Sequence, residues 1–286
     1  MRLNIAFDLD FSLCCGQVFR WRKTGYWWYG VVGENIFKVR QSGTELLFEG
    51  VSEDFVHYYF GLNDNLVEIS RCISKDDYIR AALRKFEGLR IVKQNPWECL
   101  ISFICATYKN IAAIEQMLQK LSAKFGEKKV FDGMDFSTFP TVEALAFASE
   151  NALRECGLGY RAKYVQATAQ KIYEEKISIE SLKSMPYLEA RKTLVSFPGV
   201  GLKVADCVLL FSLEKFEAFP VDVWIKRVIL SHYQNQLPEP LVKKLLSHES
   251  LSNSEYEKIN GFGRSYFGQY AGYAQEYLYH FERTQR

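Results

Sequence analysis

Between Phe19 and Phe48 aromatic and β-branched residues fall in short runs: Phe19-Arg20-Trp21, Tyr26 to Val32, Ile36 to Arg40 and Leu46-Leu47-Phe48. Turns at Gly33-Glu34-Asn35 and Ser42-Gly43-Thr44 separate them, so residues 1 to about 50 are expected as strands of an antiparallel sheet with one wet face. From about residue 53 the apolar spacing becomes helical. Phe55, Tyr58, Tyr59 and Phe60 form one short face and Tyr78, Ala82 and Phe86 another, with Gly88 as a C-cap. Asn95 and Pro96 open a helix as N-cap and first residue, with Leu100, Phe103 and Ile104 as its buried stripe. It breaks over Thr107–Asn110, and a helix runs from about Ile111 to Phe125. A polar connector is expected from Gly126 to Pro140, then a helix from Val142 to Glu155 and a glycine-opened turn over Cys156–Arg161 leading into another helix. A helix follows Pro186, residues 235–254 are loop-like or weakly helical, and an aromatic helix closes the chain from Tyr270 to Phe281. The pattern predicts an α+β chain: an N-terminal antiparallel β-rich domain with flanking helices over 1–90, then a mostly α-helical domain over 91–286.

One stretch of the second part carries chemistry. The helix ending at Val195 halts at Pro198, which has no N–H to donate. Gly199 and Gly201 then allow a tight turn, and a second apolar helix starts with Val204, Ala205, Val208, Leu209 and Phe211. Two helices joined in this way leave backbone amides at Gly199, Val200 and Gly201 facing outward at a helix N-terminus, a site suited to a phosphate oxygen. Lys203 lies in the first turn of that second helix, and Asp222 follows Pro220-Val221 nineteen residues later. A lysine amine is a competent nucleophile. An aspartate held as an N-cap, here of a helix from Val223 to about His232, is an anion that can stabilise developing positive charge. From these residues alone a solvated lysine on a DNA-facing helix and a plain capping aspartate remain equally open.

Composition narrows the setting. Charged residues make up 24% of 286 and the formal net charge is +2, so any nucleic-acid contact must rest on a local patch and on backbone amides. Seven cysteines with no C-x-x-C pair and no secretory leader predict reduced thiols in a soluble intracellular protein of cytoplasm, nucleoid or nucleus. No apolar run approaches membrane-spanning length, so no membrane partner is expected.

The hairpin, Lys203 and Asp222 resemble the helix-hairpin-helix DNA glycosylase superfamily, whose bifunctional members use such a lysine as nucleophile and such an aspartate as its electrostatic partner. Four further stretches are similar to the 8-oxoguanine DNA glycosylases within it: Cys14-Cys15-Gly16-Gln17-Val18-Phe19-Arg20-Trp21, Asn95 to Cys105, Gly157 to Tyr164, and Tyr270-Ala271-Gly272-Tyr273-Ala274-Gln275. With the central Pro-Gly-Val-Gly-x-Lys-Val-Ala-Asp-Cys the likeness spans about 16 to 281 in order. No cysteine follows Cys207, which excludes the iron–sulfur branch of the superfamily.

The resemblance implies a base pocket. Gly16 would offer its carbonyl to the N7–H that distinguishes 8-oxoguanine from guanine, Gln275 would meet the Watson–Crick edge, and Tyr279 and Cys207 would sandwich the purine. Gln275 with Tyr279 and Lys203 with Cys207 are i,i+4 pairs that share a helix face. A base inside a duplex must be flipped out, and the resemblance makes Tyr160 the wedge and Arg161 the partner of the estranged base. It also puts Tyr108, Lys109, Asn110, Trp224 and the hairpin residues Gly199, Val200 and Gly201 on the DNA. Three positions depart from the family. Tyr108-Lys109-Asn110 replaces an Asn-Asn-Asn run, Ala113 replaces an arginine that helps read the opposite cytosine, and Trp224 stands where relatives often have histidine. The first two predict relaxed discrimination of the opposite base.

The implied activity is excision of 8-oxoguanine followed by strand cleavage through a lysine Schiff base. No redox cofactor or catalytic metal is required, though a structural cation could sit on the hairpin carbonyls. The expected partner is duplex DNA containing 8-oxoguanine, met by a monomer. A glycosylase for alkylated or other purines is the near alternative, disfavoured by Lys203 because monofunctional relatives lack that lysine. A non-catalytic hairpin module that only grips DNA is the alternative from another class.

Overall fold

Strong local signals fix most boundaries in the computed structural model, which describes residues 1–285. Four strands, β1 (Trp21–Thr24), β2 (Trp27–Val32), β3 (Asn35–Ser42) and β4 (Glu45–Glu49), form one antiparallel sheet in the order β1-β2-β3-β4. Its inward face packs Phe37, Val39 and Leu46 against Val56 and Phe60, with Trp21 edge-on to Phe37 at 4.9 Å.

The first 50 residues are not all extended. Helix α1 (Leu9–Cys14) precedes the sheet because Asp8 caps it, accepting from the Phe11 amide at 2.7 Å, while Leu9 and Leu13 turn inward. The first strand also starts later than Phe19, whose ring leaves the sheet to pack edge-on against Phe103 in the helical core at 5.6 Å.

Helices α2 (Glu53–Tyr59), α3 (Leu66–Ile73) and α4 (Asp77–Lys85) follow. Tyr58 is half-exposed with its hydroxyl donating to Glu214 at 3.2 Å, whereas Val56, Tyr59 and Phe60 are buried. Gly88 does not cap α4, which ends at Phe86. Its φ of +88° lets its carbonyl accept from the Asp8 amide at 2.9 Å, and a Cβ there would stand 2.7 Å from the Phe7 backbone.

Helix α5 (Pro96–Ala106) is capped by Asn95 and breaks at Thr107, and α6 (Ile111–Phe125) is capped by Asn110. The expected connector at 126–140 is instead a β-hairpin, β5 (Lys128–Phe131) and β6 (Met134–Ser137), turned by Asp132-Gly133 with φ of +52° and +70°. Asp132 anchors it to the sheet, accepting from Lys38 Nζ at 2.8 Å and Tyr29 OH at 2.7 Å. The expected helix from Val142 to Glu155 is split into α7 (Val142–Ala146) and α8 (Glu150–Leu153), because Ser149 starts a new cap by accepting from Ala152. Then come α9 (Ala162–Glu175), α10 (Tyr187–Val195), α11 (Leu202–Ser212), α12 (Val223–His232), α13 (Glu239–Leu246), α14 (Asn253–Phe267) and α15 (Ala271–Arg283). Within the stretch expected to be weakly helical, α13 is a full two turns, and α14 opens on a Ser252–Glu255 capping box.

Residues 99–105 of α5 and 204–212 of α11 are buried all round, so these two helices form the centre of the molecule. Two side chains hold the stretch that leads into the sheet, Gln17 on the backbone of α1 and of residues 90–92 and Arg20 on α5. Buried Gln17 donates to the carbonyls of Ser12 and Arg90 and accepts from the Val92 amide, all within 2.9 Å. Arg20 pairs with Glu98 at 2.9 Å and donates to the Ser137 carbonyl at 2.6 Å. Among the described residues no helix is long and apolar enough to cross a membrane.

Candidate active site

The hairpin between α10 and α11 is rigid for local reasons. Val200 N–H donates to the Phe197 carbonyl at 3.1 Å and Thr168 Oγ1 donates to the Pro198 carbonyl at 2.7 Å. Gly199 has φ of +77°, and a Cβ there would lie 2.6 Å from Tyr164 Cβ, so only glycine lets the turn lie on α9. Val200 therefore brings no bare amide, contrary to the expectation for the whole triplet, and its side chain is buried. Gly201 is exposed and caps α11 with no side chain, leaving the first-turn amides of that helix for an external acceptor. The Phe197 and Pro198 carbonyls, candidates for a cation, already accept protein hydrogen bonds.

Lys203 projects from the first turn of α11, half-buried, with Nζ 4.9 Å from the centre of the Phe103 ring. The Cys207 thiol lies one turn on along the same face, and the Lys203 charge reaches both it and Asp222. Asp222 caps α12, accepting from the Ile225 amide at 2.9 Å. Burial pushes its carboxyl above the usual carboxylate range, while the Ile225 amide and the Lys203 charge oppose that rise. Burial also pushes the Cys207 thiol up to about 12, so it is a neutral wall rather than a nucleophile.

Gly16 and Tyr279 meet across the same space. Gly16 has φ of +105°, and a Cβ on it would stand 3.2 Å from the Tyr279 ring. Tyr279 in turn feels the charge of Asp222. Gln275, one turn before Tyr279 on α15, is 4% exposed, and its Oε1 is buried without a hydrogen-bond partner. The structure therefore brings Lys203, Asp222, Cys207, Gly16, Gln275 and Tyr279 into one corner where α11, α12, α15 and the loop after α1 converge.

Sequence reasoning missed Glu276. It is 2% exposed, its Oε1 is buried without a hydrogen-bond partner, and it lies within reach of the charges of Arg283, Asp222 and Lys203. Burial raises its carboxyl to about 7. Its signal was an acid in the middle of the apolar run Tyr273-Ala274-Gln275-Glu276-Tyr277-Leu278.

The remaining predicted residues lie on turns at the surface. Tyr108 is 87% exposed with φ of +55°, a conformation uncommon for a bulky residue. Lys109 and Asn110 are exposed beside it, but Asn110 Oδ1 already accepts from the Ala113 amide at 2.9 Å. Tyr160 is half-exposed and edge-on to Tyr164. Arg161 departs from expectation: it is buried, and its guanidinium donates to the Thr107 carbonyl that ends α5 and to the Leu158 carbonyl, with the Tyr160 ring 4.4 Å away. Trp224 is half-buried on the first turn of α12, with the Arg227 guanidinium 5.0 Å from its ring.

Comparison with known proteins agrees along the whole chain. Residues 2–100 match the 8-oxoguanine DNA glycosylase N-terminal domain, and residues 101–248 match the HhH-GPD superfamily of base excision DNA repair proteins. The N-glycosylase/DNA lyase OGG1 of Arabidopsis thaliana is 31% identical over 96% of this chain and 77% of its own. A probable N-glycosylase/DNA lyase of Methanothermobacter thermautotrophicus is 30% identical over 80% of this chain and 74% of its own. The 8-oxoguanine glycosylase/lyase of Clostridium acetobutylicum, solved with double-stranded DNA bearing cytosine opposite 8-oxoguanine, superposes with a TM-score of 0.88 at 32% identity. That match covers 100% of this chain and 97% of the other. A lysine hairpin, an antiparallel N-terminal sheet and two matched domains in this order leave one placement: the chain belongs to the 8-oxoguanine DNA glycosylases of the HhH-GPD superfamily.

Proposed function

We propose that this protein is a base-excision-repair N-glycosylase and DNA lyase that takes 8-oxoguanine out of duplex DNA and then cuts the strand. The observation that carries the reading is the corner itself. An amine on an uncapped helix start, coupled to the Asp222 carboxyl, stands one turn from the Cys207 thiol, on the same corner as Gly16 and Tyr279. DNA phosphate would sit on the Gly201 end of α11, and the flipped purine would lie between Cys207 and Tyr279.

The Lys203 amine attacks the deoxyribose C1′, the bond from C1′ to the base nitrogen breaks, and the base departs with a proton. Ionised Asp222 offsets the positive charge that builds on the sugar as that bond lengthens. The proton that leaves with the base comes from the attacking amine; the nitrogen lone pair then breaks the C1′–O4′ bond, O4′ takes a proton from water, and a protonated imine forms between Lys203 and C1′. Loss of a C2′ proton then expels the 3′ phosphate, and water hydrolyses the imine to restore the lysine. Gly16 would accept from N7–H of the oxidised base; guanine has no hydrogen there, so its own N7 lone pair would face the carbonyl. The buried orphan Oε1 of Gln275 supports its place at the Watson–Crick edge. All these groups come from one chain, which favours a monomer on duplex DNA.

Borohydride reduction during turnover of an 8-oxoguanine duplex tests the reading. Crosslinked DNA is expected on Lys203, and Lys203→Gln should abolish it while duplex binding survives. A crosslink mapped to any other lysine, or full excision by that variant, overturns the assignment. A DNA-gripping module without chemistry would be untouched by the substitution.

A further inference from the structure

We propose that Tyr256, held by Asp206, is a positioning residue that sets the spacing between the Lys203 helix and the loop ending in Asp222. The inference rests on the reading of Lys203 and Asp222 given above. Asp206 lies on α11 between Lys203 and Cys207, wholly buried, and carries four hydrogen bonds. One oxygen accepts from Tyr187 OH at 2.6 Å. The other accepts from Tyr256 OH at 2.6 Å, Asn260 Nδ2 at 3.0 Å and Arg191 Nη2 at 3.0 Å.

Two of these donors do more than satisfy the acid. The Tyr256 hydroxyl also accepts from the Val221 amide at 3.3 Å, and Asn260 Nδ2 also donates to the Phe219 carbonyl at 2.9 Å. Both residues stand one turn apart on α14 and face the same way. The segment Phe219-Pro220-Val221 is thus gripped on both sides of a proline, immediately before Asp222. Helix α14 reaches it only because residue 263 is glycine: a Cβ there would lie 2.4 Å from the Phe219 ring.

A chain of contacts therefore runs from the nucleophile helix, through one buried carboxylate and one hydroxyl, to the backbone of the residue before the catalytic anion. The charge on Asp206 is met by Arg191, which is itself paired with Glu257 through two 2.9 Å contacts. The Tyr187 hydroxyl bonds the same carboxylate through its other oxygen and, unlike Tyr256, makes no hydrogen bond to Phe219-Pro220-Val221, and so provides an internal control.

The test compares Tyr256→Phe with Tyr187→Phe in single-turnover excision and borohydride trapping, well below their melting temperatures, with Lys203→Gln in parallel. Each phenylalanine removes one hydroxyl from Asp206 and keeps the ring. Tyr256→Phe should slow the saturated rate by about 10- to 100-fold, as misplacement near the reacting atoms does. It should leave the half-saturating duplex concentration within about threefold and shift the acid limb of the pH–rate profile, because the surroundings of Asp222 change. Tyr187→Phe should cost stability only. Equal effects of the two variants on rate, or a change in melting temperature alone, overturn the positioning role and leave Lys203 untouched. Trapping that survives Lys203→Gln overturns both.

Discussion

The corner around Lys203 and the turns around Tyr108 and Tyr160 are both expected to meet the same duplex, yet they are built in opposite ways. In the corner, Asp222 is bonded to its helix, and Gly16 faces Tyr279 with little room for a Cβ between them. At the turns Tyr108 and Tyr160 stand in solvent, and the polar groups beside them are spent on nearby backbone, as Arg161 is on Thr107. Groups that stabilise a transition state gain most when their orientation is settled beforehand. Groups that fill a gap in a helix of variable sequence can exchange contacts on binding. The contrast predicts that lesions in the corner change rate and that lesions in the turns change selectivity and affinity.

The sharpest way to break that contrast is Asp222→Asn. Asparagine caps helices as well as aspartate does, so α12 should keep its start while the anion disappears. We expect the single-turnover rate to fall by about 10²- to 10³-fold with a nearly unchanged melting temperature. A loss of less than tenfold would place the aspartate among structural caps. Gly16→Ala comes next. The positive φ and the 3.2 Å approach to Tyr279 mean that a methyl strains the loop and narrows the pocket. Excision of 8-oxoguanine should drop by about 10- to 100-fold, consistent with a strained residue costing about 1–3 kcal/mol. Cleavage at a preformed abasic site, which carries no base, should persist. If both activities fell together, the glycine would not be acting on the base.

The pH dependence of stability tests the corner from another side. Burial holds the Glu276 carboxyl at about 7, above its ordinary value, so the folded state keeps a proton that the unfolded chain gives up first. Stability from this residue is full below pH ~4.5 and is lost as pH rises to about 7, by on the order of 3 kcal/mol. His280, one turn along α15, is pushed down to about 4 by burial and by Arg283 and Lys85, so its contribution has the opposite sign and is lost as pH falls. Urea midpoints across pH 4–8 should therefore be flatter for the native chain than for Glu276→Gln, which removes one of these two opposed slopes. Identical curves would refute the buried acid. The smallest effect concerns the turns. If Ala113 stands, as the resemblance implies, where relatives read cytosine with an arginine, cleavage opposite C, A, G and T should differ by no more than about tenfold. A strong cytosine preference would show that the turns are organised as firmly as the corner.

Much of this was legible in the sequence where one residue type has one physical use. Asn95-Pro96 set the start of α5, Gly199 the turn, and Asp222 the cap of α12, since each answers a local backbone demand. What escaped was decided by distant neighbours or by weak local signals. Asp132-Gly133 is a hairpin turn between two polar strands whose anchor, Lys38, lies 94 residues away. Leu9–Cys14 is a helix too short for periodicity to reveal. The Gly-Leu-Gly-Tyr-Arg turn assigns Arg161 to the DNA, and no pattern in the sequence shows that its guanidinium also holds the carbonyl at the end of α5. Glu276 carries no local mark of burial beyond its apolar neighbours.

Gly16 meets Tyr279, and Arg283 donates to the Cys14 carbonyl at 2.6 Å across 269 residues. The pocket is thus closed by its most sequence-distant contact, the kind whose loop-closure entropy must be overcome last. During refolding the hairpin and its grip on phosphate should appear before the lesion can be told from guanine. An early-folded species would hold DNA while remaining blind to the oxidised base.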